Sequence, residues 1–166
     1  MREVFLQMPD SLMPYLTENN RLDFIDFIDS NMKAGVMNSL GGKSEMLALT
    51  DDHLLLKVSH SMNVLMRLMP VQEMVDSCNR VVCMITTYGN DIIESKIDIY
   101  SVKWRPLEAT KYLDLPREAY QASLADDDPL CFVFKSVGDL TVLTNVAEGD
   151  MPKDVSNWLR KVYWKQ

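Results

Sequence analysis

Apolar and polar positions change their period once along this chain. Between residues 20 and 34, Leu22, Phe24, Ile25, Phe27, Ile28 and Met32 form a broad arc opposite Asp23, Asp26 and Ser30. A 3.6-residue period of this kind predicts an amphipathic helix. Asn20 is suited to cap its first turn, with Asp23 three residues on in an acidic capping box. Lys33 complements the dipole at the other end, and Gly35 fits the C′ position. Upstream, Pro9-Asp10-Ser11-Leu12 predicts a short helical turn capped by Asp10.

From about residue 45 the period becomes 2, which predicts strands. Leu54, Leu56 and Val58 alternate with His53, Leu55 and Lys57, and Val64, Met66 and Leu68 with Asn63, Leu65 and Arg67; Ser59-His60-Ser61 turns between the two runs. A second hairpin runs from Val81 to Tyr88, turns at Gly89-Asn90, and returns through Ile93, Ile97 and Ile99. A third joins Leu130–Val137 to Leu140–Val146 through Gly138-Asp139. A short helix is expected from Pro116 through Leu124, stopped by Asp126-Asp127-Asp128. A C-terminal helix is expected after Asp150, with Val155, Trp158, Leu159 and Val162 on its packed side.

Strands joined by tight turns must pair antiparallel. The expected fold is therefore α+β: one domain over residues 1–166, with a hairpin-built antiparallel sheet of about six or seven strands, an N-terminal helical segment and a C-terminal helix. The first hairpin is apolar on both sides, because Leu55, Leu65 and Met69 lie opposite the main apolar set. Something must cover that second side: the N-terminal helix, a second protein or a ligand.

Charge narrows the function. Seventeen basic residues against 24 acidic ones give a net charge of −7, the wrong sign for holding nucleic acid by its phosphates. The apolar runs are too short for a transmembrane segment, and the first residues do not read as a signal peptide. Cys78, Cys83 and Cys131 form neither a disulfide framework nor a zinc pattern, and free thiols are expected, although a bridge between Cys78 and Cys83 is conceivable.

Candidate chemistry is sparse. Asp51-Asp52-His53 is the one place where carboxylates adjoin an imidazole, as a general base or metal ligand set would require; a strand-opening turn accounts for the same residues. Asp23, Asp26 and Asp29 read as a solvated helix face. Gly41-Gly42-Lys43-Ser44 ends like a phosphate loop but has Met37 where the first glycine is needed. Twelve methionines, including Met62, Met66, Met69, Met74 and Met84, read as core filling, since alternation places Met62 and Met66 on one face and Met69 on the other. Tyr100 and Trp104, with Leu55, Leu65 and Met69, are the candidate ligand or partner surface. No catalytic residue, metal site or cofactor is expected.

Val4-Phe5-Leu6-Gln7-Met8-Pro9, Leu22-Asp23-Phe24-Ile25-Asp26, Leu49-Thr50-Asp51-Asp52 and Ser95-Lys96-Ile97-Asp98-Ile99-Tyr100 with Trp104 resemble the Bacteroidales domain of unknown function 3256. The resemblance implies an exported bacterial protein, periplasmic or secreted, and supplies no activity. The leading expectation is a non-catalytic extracytoplasmic binding or interaction module for a protein, peptide or glycan. The alternatives are a hydrolase or metal-dependent enzyme using Asp51-Asp52-His53, and a structural homo-oligomer built on the two-sided hairpin.

Overall fold

The computed structural model describes residues 1–89, 94–114, 130–136, 139–144 and 159–164. A five-residue helix α1 (Arg2–Leu6) is followed by a 3-10 turn at Asp10–Leu12 and by helix α2 (Glu18–Asp29). The cap of α2 differs from the sequence expectation. Thr17 is the N-cap, and Asn20 is the third helical residue, completing a reciprocal capping box in which the Asn20 amide donates to Thr17 Oγ1 at 3.2 Å. At its other end Asn31 takes a left-handed φ of 54°, so the helix stops well short of Gly35.

Seven strands follow in sequence: β1 (Gly35–Met37), β2 (Lys43–Leu49), β3 (His53–Ser59), β4 (Met62–Val75), β5 (Cys78–Tyr88), β6 (Glu94–Ser101) and β7 (Pro106–Leu107). They pair as an antiparallel meander, each with the next. A second, four-stranded antiparallel sheet is ordered β8 (Leu113–Asp114), β11 (Leu159–Trp164), β10 (Asp139–Thr144), β9 (Leu130–Ser136). β9 runs against β6. Asp76 and Ser77, with φ of 51° and 64°, close the long β4–β5 hairpin in the mirror-image turn that matches strand twist.

The first face of the seven-stranded sheet carries Met46, Leu54, Leu56, Val58, Val64, Met66, Val82, Met84 and Tyr100, all packed with Phe5, Met8, Met13, Leu16, Phe24 and Ile25 from the N-terminal segment. Phe5, Leu16 and Phe24 are fully enclosed. Burial of a side chain of that size contributes about 1.5–3 kcal/mol. The second face carries Met69, Val81, Cys83, Ile85 and Ile99, covered by Tyr112 and Leu113. Met66 and Met69 therefore serve opposite faces, as the alternation implies.

The α+β class and the antiparallel sheet stand as expected, with an N-terminal helical segment. The C-terminal helix does not extend through its second half: Leu159–Trp164 is strand β11, paired in register with β10, so Leu159 and Val162 lie opposite Leu143 and Leu140. Val162-Tyr163-Trp164 is β-branched and aromatic, which suits a pleated strand better than a helix. The third hairpin belongs to the second sheet. Residues 150–158, the helix expected from Pro116, Asp126-Asp127-Asp128, Asn90 and Gly138 lie outside the described residues.

Candidate functional site

Tyr100 and Trp104 do not form a surface. They are 8% and 6% exposed, with ring centroids 5.5 Å apart and planes tilted by 50°. Trp104 Nε1 donates to the Val4 carbonyl oxygen at 2.8 Å, tying the β6–β7 turn to α1. Trp104 holds a left-handed φ of 63°, a backbone state that costs a large side chain about 1–3 kcal/mol and persists where surrounding contacts over-determine it. The pair belongs to the core of the first face.

Asp51-Asp52-His53 forms the β2–β3 turn, organised around Thr50. The Thr50 hydroxyl donates to Asp52 Oδ1 at 2.8 Å and accepts the His53 amide at 3.1 Å; His53 Nδ1 lies 2.7 Å from Thr50 Oγ1 and 3.2 Å from Asp52 Oδ1. The Thr50 hydroxyl, foremost, and His53 hold the Asp52 carboxyl below the usual carboxylate range. A hydroxyl, imidazole and carboxylate thus meet, but both imidazole contacts fall on Nδ1. A nucleophile relay needs the acid at one ring nitrogen and the hydroxyl at the other. The cluster closes a turn. Among the described residues no group of three or more His, Cys, Asp or Glu converges as a metal site.

Asn38 organises the Gly41-Gly42-Lys43-Ser44 turn. Its Oδ1 accepts the amides of Leu40 and Gly42 at 3.1 and 3.0 Å, and its Nδ2 donates to Ser44 Oγ and the Val58 carbonyl oxygen at 3.0 and 3.2 Å. The Gly42 amide is consumed internally, so no phosphate cradle exists there. Cys78 and Cys83 are both free; burial pushes the Cys83 thiol far up.

Among the described residues, two concave or open regions stand out. The first is a groove of about 650 Å³ between α1 and the sheet, lined by residues that include Val4, Leu49, Leu68 and Val102 with Glu3, Asp51 and Arg80. Its walls carry both signs of charge and do not select one ligand charge. The second is the β1–β4 half of the second sheet face. Leu55 pairs across strands with Leu65, Leu65 with Ile85, and Ile85 with Ile97, forming one apolar row. At its β5 end the row is sealed, Ile85 being 3% exposed. At the other end Leu55 and Leu65 are half-buried, and a bulge in β2 sets both Leu47 and Ala48 opposite Leu55. Leu47 is 51% exposed; Met37, 63% exposed, shares this face but stands opposite Lys43, four residues along β2 from Leu47. Of the expected surface, Leu55 and Leu65 lie here, whereas Met69 is buried at the covered end.

Residues 1–138 match the family described as Protein of unknown function (DUF3256). The chain belongs to the DUF3256 family. A solved domain of an uncharacterized protein from Porphyromonas gingivalis W83 shares the fold of this DUF3256 member, with a TM-score of 0.71 and 24% identity over 99% of this chain and 93% of that one. None of the curated proteins matches it.

Sequence reasoning on the DUF3256 chain missed Leu47 and Met37. Leu47 sits in a bulge, where alternation fails, and Met37 in a strand of three residues, too short to show a period. Lys57, opposite Glu45, and Lys43, opposite Met37, share the face of Leu55 by register.

Proposed function

We propose that this chain is a non-catalytic binding or interaction module acting outside the cytoplasm, and that it binds through the β1–β4 half of its second sheet face. The observation that carries the reading is the apolar row that is sealed at Ile85 and ends exposed at Leu47. An apolar strip left in water beside an otherwise covered sheet marks an interaction site. The partner is a protein, peptide or glycan. The extracytoplasmic placement is supported by what the family resemblance implies for bacterial export.

Two measurements test this. Fractionation of the native cells is expected to place the protein in the envelope or medium; recovery in the cytosol contradicts the placement. Affinity capture from the envelope is expected to retain a specific partner with the native chain and lose it with Leu47→Asp. Equal retention by both removes this face from the function.

A further inference from the structure

We draw no further inference here: the strongest candidate, the open β1–β4 half of the second sheet face around Leu47, Leu55 and Leu65, belongs to the binding site proposed above, and nothing in the structure shows what covers it.

Discussion

The two faces of one sheet contrast in how far their burial extends. On the first face, apolar residues from β2 through β6 lie beneath α1, α2 and the intervening turn. On the second face, cover reaches β4, β5 and β6 by way of Tyr112 and Leu113, while β1, β2 and β3 stay partly open. The strands are the same strands, and only the neighbours of alternate residues differ. A sheet needs one sealed face for stability, and the surplus apolar surface on the other is free to serve recognition.

Truncating the sealed face should produce the largest effect. Phe24→Ala, at a fully enclosed site, is expected to destabilise the fold by about 3–5 kcal/mol in chemical denaturation. A loss below about 1 kcal/mol would mean that α2 does not seal the face. Trp104→Phe comes next: it removes the donor to the Val4 carbonyl oxygen and is expected to cost about 1–3 kcal/mol. It should also raise amide exchange in α1 ahead of the strands. On the open face, Leu47→Ser is expected to change stability by no more than about 0.5 kcal/mol, since half of the side chain is already in water. A cost matching that of Phe24→Ala would make the open face a hidden core.

The smallest effect sharpens the border between the two regions, where the Thr50 turn sits. Asp52 has its carboxyl lowered below the ordinary 3.8, so its ionised form is favoured in the fold. Its contribution to stability is present above the unfolded value and is lost as pH falls through the depressed folded value. Thr50→Val removes the leading cause, and NMR titration is expected to show the Asp52 midpoint moving up toward the ordinary value. An unchanged midpoint would mean that the hydroxyl contact is not made in solution.

How much of this was legible depended on local period. β3 and β4 could be read because Leu54, Leu56, Val64 and Met66 alternate without interruption, and the same alternation separated Met66 from Met69. Tyr100 and Trp104 read as surface because their cover, α1, is five residues long and shows no period of its own. The end of the chain read as helix because Leu159 and Val162 fit a helical spacing as well as they fit a strand, and only pairing with β10 decides between the two. Asp51-Asp52-His53 reads as a strand-opening turn and a turn stands there, but the part of Thr50 in it depends on a hydroxyl position that spacing does not encode.

The contrast between the faces is tested most directly at two methionines on paired strands. Met46 faces the sealed side and is 4% exposed, whereas Met37 faces the open side and is 63% exposed. Under dilute hydrogen peroxide, followed by peptide mass spectrometry of the folded protein, Met37 is expected to oxidise at least about ten-fold faster than Met46, and the two should converge on unfolding. Equal rates in the folded protein, or protection of Met37, would contradict the division of this sheet into a sealed and an open face.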